Sequence, residues 1–243
     1  MYDFRYTDGE EYVLTNFNLK IPFGTNIAIV GETETGKSTL VNLIFRFFEP
    51  TKGTILIDGK NIRERSQLWL HSSSGYVLQT PHLFSGTVRE NLIYGNPNAT
   101  ESEIYKALDL VSARNLVDNL EHGLDTDVGE DVDLLSAGEK QLISFARAII
   151  SNSKILILDE ATTSIDTITE QKIQSAINNV IQGRTSIIIA HRLSTVQNAD
   201  MIPVVRNGKI AELGTHTQLL QNKNYYFKLY SRQYEDKRTQ DIL

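Results

Sequence analysis

The hydrophobic and polar positions of this chain follow two periods, one typical of strands and one typical of helices. Short apolar runs, bounded by turn residues, at 27–30, 155–158 and 187–190 indicate buried strands. Between these runs, apolar residues recur at helical spacing, for example over 104–111. Because strands alternate with helices, we predict an α/β fold whose core sheet is mainly parallel.

Two stretches depart from this alternation. In residues 1–21, aromatic and aliphatic residues alternate with polar ones on both sides of a turn at 8–9, which predicts an N-terminal antiparallel β subdomain. Residues 87–150 contain almost no strand signal but several helical stripes. We therefore predict a helical subdomain inserted into the core.

The most specific motif follows the apolar run at 27–30. Residues 31–38 fit the phosphate-loop pattern G-x-x-x-x-G-K-[ST] between a strand and a helix. Such a loop directs backbone N–H groups at phosphate, Lys37 reaches the β- and γ-phosphates, and the Ser38 hydroxyl ligates Mg²⁺. We predict a nucleotide-binding loop formed by Gly31, Glu32, Thr33, Glu34, Thr35, Gly36, Lys37, Ser38 and Thr39.

Composition excludes several other classes of function. The 243 residues include no cysteine, which excludes disulfides, thiol catalysis and cysteine-ligated zinc. A formal net charge of −6 argues against a nucleic-acid partner. No apolar run approaches the ~20 residues that a membrane-spanning helix needs. A membrane role would therefore require a partner, or a segment outside this sequence.

Ionisable side chains follow two of the predicted core strands. Asp159 and Glu160 come directly after one, and His191 follows another. Because the carboxyl ends of parallel strands lie at one edge of a sheet, these residues are expected beside the phosphate loop. There Asp159 would hold Mg²⁺, Glu160 would deprotonate an attacking water, and His191 would contact the γ-phosphate. The alternative for each is a structural surface residue.

Two further residues have a structural and a functional interpretation. Ser136 and Glu139 have the spacing of a helix capping box, and the same helix start also suits a second phosphate site. Tyr6 is a candidate platform for a nucleotide base, although a half-buried strand tyrosine is the simpler interpretation. The residues alone leave both alternatives open.

Taken together, the motifs resemble the nucleotide-binding domain of ATP-binding cassette (ABC) transporters over about residues 2–220. Three stretches, 83–91, 159–162 and 190–195, resemble most closely the exporter branch, whose members carry multidrug, lipid or peptide substrates. The motifs that carry the resemblance, in chain order, are residues 31–38, Gln79, residues 135–139, residues 155–160, residues 164–166 and His191.

The resemblance implies a role for each matching residue. By it, Tyr6 stacks on adenine and Gln79 meets both Mg²⁺ and the attacking water. Ser136 and Gly138 would contact ATP held by an opposite subunit, and Asp166 would cross the dimer interface. Asp159, Glu160 and His191 keep the roles given above. The implied cofactors are ATP and Mg²⁺.

The resemblance also implies partners and organisation. Two such domains would sandwich two ATP molecules head to tail and move a transmembrane domain at the cytoplasmic face of the membrane. Exporters usually carry their membrane helices before this domain, so we expect an excised domain that is soluble by itself. We expect an ATP-binding core at 1–86 and 151–220, a helical subdomain at 87–150, and a C-terminal helix and tail at 221–243.

Departures from the family pattern leave an alternative open. The phosphate loop has Glu34 where the family usually has glycine, and the stretch at 135–139 has Ala137 and Glu139 where the family has Gly and Gln. Pro203 interrupts a predicted strand, which suits only an edge or a bulge. The alternative function is a nucleotide-binding but weakly catalytic regulatory half of a heterodimeric exporter.

Overall fold

The structure, a computed structural model, describes residues 2–7, 9–32, 35–128, 134–159, 167–190 and 193–240. The chain divides into two compact units, one formed by residues 1–71 and 185–243 and the other by residues 72–184. Within the described residues, none of the helices is both long and apolar enough to cross a bilayer.

The first unit contains an antiparallel sheet, a pair of parallel strands and a long hairpin. Its elements are β1 (Tyr2–Phe4), β2 (Leu14–Phe17), β3 (Asn26–Ile29), α1 (Lys37–Ile44), β4 (Lys52–Gly53), β5 (Leu56–Ile57), β6 (Lys60–Asn61), a 3₁₀ turn (Ile62–Glu64), α2 (Gln67–Ser73, which begins in this unit), β9 (Thr185–Ile189), α8 (Leu193–Gln197), β10 (Ile202–Arg206), β11 (Lys209–Gly214), α9 (His216–Asn222) and α10 (Tyr225–Gln240).

The second unit contains a pair of parallel strands and most of the helices. Its elements are β7 (Ser74–Val77), α3 (Val88–Ile93), α4 (Glu101–Leu110), α5 (Arg114–Asp118), a 3₁₀ turn (Gly123–Asp125), α6 (Ala137–Ile150), β8 (Ile155–Asp159) and α7 (Thr167–Val180).

The strand pairings agree with the predicted fold class. Strands β3 and β9 pair in parallel with Ala28 opposite Ile188, and β7 pairs in parallel with β8. All four strands contain fully buried aliphatic or small residues, as parallel strands covered on both faces require. At the N-terminus β1 pairs antiparallel with both β2 and β4. The predicted α/β fold, with antiparallel strands at its start and helices over 87–150, is confirmed.

The hairpin of β10 and β11 explains how a proline is accommodated in a strand. Pro203 lies opposite Leu213, and the register shifts between Val204 and Val205, directly beside the proline. The carbonyl oxygen of Pro203 accepts a hydrogen bond from the N–H of Val30 over 3.2 Å. Proline lacks only the donor, so it fits beside a bulge while its acceptor is still used.

Two large apolar residues at or near helix ends are exposed. Phe47 is beyond the end of α1 and 54% exposed, because Arg46 adopts a left-handed φ of 57° that ends the helix. Ile168 is at the first turn of α7 and 69% exposed, whereas Ile173 and Ile177 of the same stripe are buried. Within residues 54–59, only Leu56–Ile57 forms a strand, β5.

Candidate nucleotide-binding site

Two glycines shape the described part of the phosphate loop, each for a steric reason. A Cβ on Gly31 would lie 2.4 Å from the carbonyl oxygen of Val205, so only glycine allows this approach of two backbones. Gly36 precedes α1 and has φ of 96°, in the region that favours glycine. A Cβ there would also lie 2.8 Å from Leu14. The loop is thus fixed where it leaves β3 and where it enters α1.

Lys37, the first residue of α1, lies with its side chain folded into the loop. It is only 7% exposed, and its ammonium group donates to the carbonyl oxygens of Gly31 over 2.7 Å and of Glu32 over 2.5 Å. The Thr35 hydroxyl donates to the same Glu32 carbonyl over 2.8 Å. A buried ammonium group carries positive charge into the loop, and this suits an anionic ligand.

The end of the loop is connected to the aromatic residue proposed for base stacking. The Tyr6 hydroxyl and the Thr39 hydroxyl are hydrogen-bonded over 2.9 Å. The ring of Tyr6 packs edge-on against Phe4 and Phe48 and is still 46% exposed, so one part of the ring remains accessible to a flat ligand. Ser38 is exposed at the first turn of α1. Tyr6 lies after β1, not within a strand as the simpler interpretation required.

In the second unit, two predicted site residues follow paired strands. Asp159 is the last residue of β8, and its neighbour Leu158 lies opposite Val77, the last residue of β7. Gln79 is exposed two residues beyond Val77. Burial, followed by the Asp159 carboxylate, raises the pKa of the Tyr76 hydroxyl to about 12. The register therefore places Asp159 and Gln79 at the same carboxyl edge of this strand pair.

The predicted capping box at the start of α6 is confirmed. The backbone N–H of Glu139 donates to the Ser136 hydroxyl over 3.4 Å, and the Glu139 carboxylate accepts from the Ser136 N–H and hydroxyl, both over 2.8 Å. Ser136 is exposed, while Gly138 is buried in the first turn. The cap and the proposed phosphate role do not exclude each other, because the hydroxyl stays at the surface.

Asn91 connects the two ends of the stretch at 83–91. This side chain is buried; its amide oxygen accepts from the N–H of Phe84 over 2.8 Å and its amide nitrogen donates to the Phe84 carbonyl over 2.9 Å. Arg147 of α6 donates to the Asn91 side-chain oxygen and backbone carbonyl over 2.8 and 2.9 Å. The stretch is therefore bonded to the helix that begins at Ser136.

Several predicted site residues lie outside the described residues. They are Thr33, Glu34, Glu160, Asp166 and His191. Their assigned roles therefore stay predictions from the sequence.

The structure adds residues to the phosphate-loop region that sequence reasoning missed. Val205 contacts Gly31 through its carbonyl and donates its N–H to Val30 over 2.7 Å. The next residue, Arg206, lies over the ring of Tyr225 with 4.7 Å between the guanidinium carbon and the ring centroid. No local motif marks these residues, because they are distant from the loop in sequence and come close to it only in the folded chain.

Comparison with known proteins identifies the family. The family profile described as "ABC transporter" matches residues 14–163, well over half of the chain. The chain belongs to the ABC transporter family. The ATP-binding domains of this family hydrolyse ATP. The predicted family and its ATPase class are therefore confirmed.

Individual relatives place this ABC domain among exporters. It is 48% identical over 221 residues to ABC transporter B family member 2 of Dictyostelium discoideum, covering 91% of this chain and 16% of that protein. It is 47% identical to the probable multidrug resistance ABC transporter ATP-binding/permease protein YheH of Bacillus subtilis, covering 95% of this chain and 34% of that protein.

A solved structure agrees with this placement. The structure of a bacterial Atm1-family ABC exporter with ATP bound matches with a TM-score of 0.87 and 40% identity, covering 96% of this chain and 40% of that one. The prediction that this chain is an exporter-type nucleotide-binding domain is therefore confirmed at the level of the family. This chain spans less than half the length of each of these proteins.

Proposed function

We propose that this chain binds and hydrolyses ATP to power an ABC exporter, by ATP-driven head-to-tail dimerisation coupled to a transmembrane domain. The observation that carries the proposal is the position of Lys37, buried in a glycine-bounded loop with its ammonium group held by two loop carbonyls. Membership of the ABC transporter family, with exporters among the relatives, supports the same function.

Within the first unit, the described residues suit the phosphates and the base of ATP. The ammonium group of Lys37 exchanges its carbonyl partners for phosphate oxygens, which are stronger acceptors because they are charged. The N–H groups at the start of α1 add positive potential. Tyr6 offers its exposed ring to adenine, and its bond to Thr39 holds the ring beside the loop. Gly31 and Gly36 let the two ends of the loop pack against Val205 and Leu14, where a Cβ would clash.

The proposed Mg²⁺ ligands are Ser38, Gln79 and Asp159. Their hydroxyl, amide and carboxylate oxygens are hard donors of the kind that Mg²⁺ prefers, and both Ser38 and Gln79 are exposed. When bound, Mg²⁺ neutralises charge on the transferred phosphate. Asp159 is the last residue of a buried strand, so its backbone is fixed at the strand edge.

The proposed chemistry is an attack of water on the γ-phosphorus, which breaks its bond to the β,γ-bridging oxygen and releases ADP and inorganic phosphate. Glu160 accepts the proton of that water, Gln79 orients it, and His191 donates a hydrogen bond toward the γ-phosphate. A partner domain contributes Ser136 and Gly138, which present the N-terminus of α6 to the nucleotide. Asp166 contacts the partner across the interface. These roles come from the sequence motifs and the resemblance to the family.

The proposed partners are a second nucleotide-binding domain, identical or different, and the transmembrane domain of the exporter. The family membership supports both, as does the similarity to the Atm1-family ABC exporter with ATP bound. The proposed location is the cytoplasmic face of the membrane. The region 79–91 is the proposed surface for the membrane partner, and the bonds of Asn91 to Arg147 connect it to α6.

Calorimetric titration with MgATP, followed by measurement of phosphate release, tests the proposal. The parent chain should bind MgATP and release phosphate, and Lys37→Ala should lose both, by roughly a hundredfold or more in affinity. Lys60→Ala is the matched control, because Lys60 is an exposed lysine of β6. A parent chain that fails to bind MgATP, or a Lys37→Ala variant that binds as well as Lys60→Ala, would contradict the proposed function.

A further inference from the structure

The turn of the β10–β11 hairpin packs against the backbone where the chain enters β2. This turn consists of Asn207 and Gly208, with φ of 49° and 68°. The carbonyl oxygen of Gly208 accepts a hydrogen bond from the N–H of Thr15 over 3.0 Å. A Cβ on Gly208 would overlap the carbonyl oxygen of Val13 and would lie 3.2 Å from the Cα of Leu14. Two backbones therefore meet where only glycine leaves room.

The two residues that this turn touches also contact the second end of the phosphate loop. A Cβ on Gly36 would lie 2.8 Å from Cδ2 of Leu14 and 3.4 Å from Cγ1 of Val13, so both side chains lie against this glycine. Leu14 is fully buried, which leaves it little space to move aside. Gly36 directly precedes Lys37, the first residue of α1. A displacement of Val13 or Leu14 would therefore also displace the start of α1.

The first end of the phosphate loop is supported by the same hairpin. Gly31 meets the carbonyl oxygen of Val205 in β10, and the N–H of Val205 donates to the carbonyl oxygen of Val30 over 2.7 Å. One hairpin, residues 202–214, thus contacts the loop at Gly31 through β10 and reaches Gly36 through its turn.

The turn also supports the strand that leads to the proposed adenine platform. The N–H of Val13 donates to the carbonyl oxygen of Phe4, the last residue of β1, over 2.8 Å. Tyr6 follows two residues later, and its hydroxyl is hydrogen-bonded to that of Thr39. The backbone that Gly208 touches is therefore connected to both the phosphate side and the base side of the candidate site.

We propose that Gly208 is a positioning residue for nucleotide binding, whose turn holds the Gly36 end of the phosphate loop in the geometry that phosphate requires. It acts through the two residues that it touches. Backbone N–H groups at a helix start bind phosphate best when they are already in place, because ordering them on binding costs free energy. The inference rests on the proposed function, because it assumes that residues 31–39 bind the phosphates of ATP.

A second turn of the same conformation provides a matched control. Asp58 and Gly59 join β5 to β6 with φ of 52° and 73°, much as Asn207 and Gly208 join β10 to β11. Among the described residues, no atom lies within 4 Å of a Cβ built on Gly59. Gly208→Ala and Gly59→Ala therefore share the backbone strain of a left-handed alanine, but only Gly208→Ala also pushes on a second backbone.

Calorimetric titration with MgATP compares the parent with both variants, at a temperature where melting curves show each protein to be folded. Gly208→Ala should weaken MgATP binding by about fivefold to fiftyfold, because hydrogen bonds to a charged phosphate are lengthened or lost at the displaced end of the loop. Gly59→Ala should bind within about twofold of the parent. If Gly208 had a structural role only, Gly208→Ala would melt at a lower temperature and the folded protein would bind MgATP as the parent does.

Val13→Ala is a second variant, for the case in which Gly208→Ala does not fold. It removes the methyl groups that lie against Gly36 and leaves the hairpin turn unchanged. Its MgATP binding should be weaker than that of the parent by about twofold to fivefold.

The possible results separate the inference from the proposed function. A folded Gly208→Ala variant that binds MgATP as tightly as Gly59→Ala would overturn the inference and leave the proposed function intact. If Gly208→Ala is unfolded, parental affinity in Val13→Ala would overturn the inference in the same way. Failure of the parent to bind MgATP would overturn both.

Discussion

The ammonium group of Lys37 donates a hydrogen bond to the carbonyl oxygen of Gly31 over 2.7 Å. The two residues lie at opposite ends of the phosphate loop, so this bond closes the loop on itself. On its other side, Gly31 meets the carbonyl oxygen of Val205. The geometry of the loop thus depends on a position that has no room for a side chain.

We predict that Gly31→Ala destabilises the protein and weakens MgATP binding. The added Cβ would lie 2.4 Å from a backbone oxygen and 2.9 Å from the Thr35 hydroxyl, so β3 or β10 must move. The expected cost in the free energy of unfolding is about 1–3 kcal/mol. Thermal denaturation measures it. Gly214→Ala is the control, because its nearest neighbour is a flexible side-chain atom at 3.2 Å. Equal melting temperatures for the two variants would contradict the prediction.

We predict that Ser136→Arg blocks ATP-dependent dimerisation while leaving MgATP binding by the monomer intact. The reason is crowding of the nucleotide held by the partner, if Ser136 acts across the interface. If Ser136 is only a helix cap, the variant should instead lose ~1 kcal/mol of stability. Sedimentation with ATP, beside a melting curve, separates these outcomes.

Thr100→Arg is the matched control for that experiment. Thr100 caps α4 with the same reciprocal bonds to Glu103 that Ser136 makes to Glu139. It should lose a similar amount of stability and still dimerise with ATP. Dimerisation by Ser136→Arg at the level of Thr100→Arg would remove Ser136 from the interface.

We predict that Glu34→Gly tightens MgATP binding. A carboxylate about 6 Å from a phosphate charge costs on the order of 2–3 kcal/mol at an effective dielectric near 20. The gain should fall as ionic strength rises, because salt screens the repulsion. Glu34→Gln isolates the charge from the freedom of a glycine backbone. Calorimetric titration at low and high salt is the test, and equal affinities at low salt would show that Glu34 is a neutral substitution.

We predict that the ion pair of Arg89 and Asp125 stabilises the second unit only above the acidic range. The side-chain hydrogen bond from Arg89, over 2.8 Å, lowers the pKa of Asp125 below its ordinary value of 3.8. A lowered carboxyl pKa contributes stability that is present above the ordinary pKa and lost as pH falls through the folded-state pKa. The difference in unfolding midpoint between the parent and Asp125→Asn should therefore shrink below about pH 4. A constant difference over that range would contradict it.

The fold was predictable wherever a local pattern coincides with a buried element. The strand that precedes Gly31, the strand that ends at Asp159 and the hairpin around Asn207 and Gly208 all follow from apolar runs and turn residues. The end of α1 was not predictable, because Arg46 in a left-handed conformation stops the helix before Phe47. An arginine in the sequence gives no strong indication that it will adopt a left-handed conformation.

The candidate site was predictable where one segment holds the chemistry and unpredictable where distant segments meet. The phosphate loop and the cap at Ser136 are local, and the structure agrees with their geometry. The contact of Gly31 with Val205 joins residues more than 170 positions apart. Only the fold brings these residues together.

The central claim is that this chain hydrolyses ATP as a dimer with Glu160 as the general base. Glu160→Gln should keep MgATP binding and lose hydrolysis by roughly a hundredfold or more, because the amide cannot accept the proton of the attacking water. The ATP-bound dimer should then accumulate in sedimentation, whereas Glu121→Gln, at an exposed turn, should behave as the parent does. Hydrolysis by Glu160→Gln near the parent rate, with no accumulated dimer, would contradict the account.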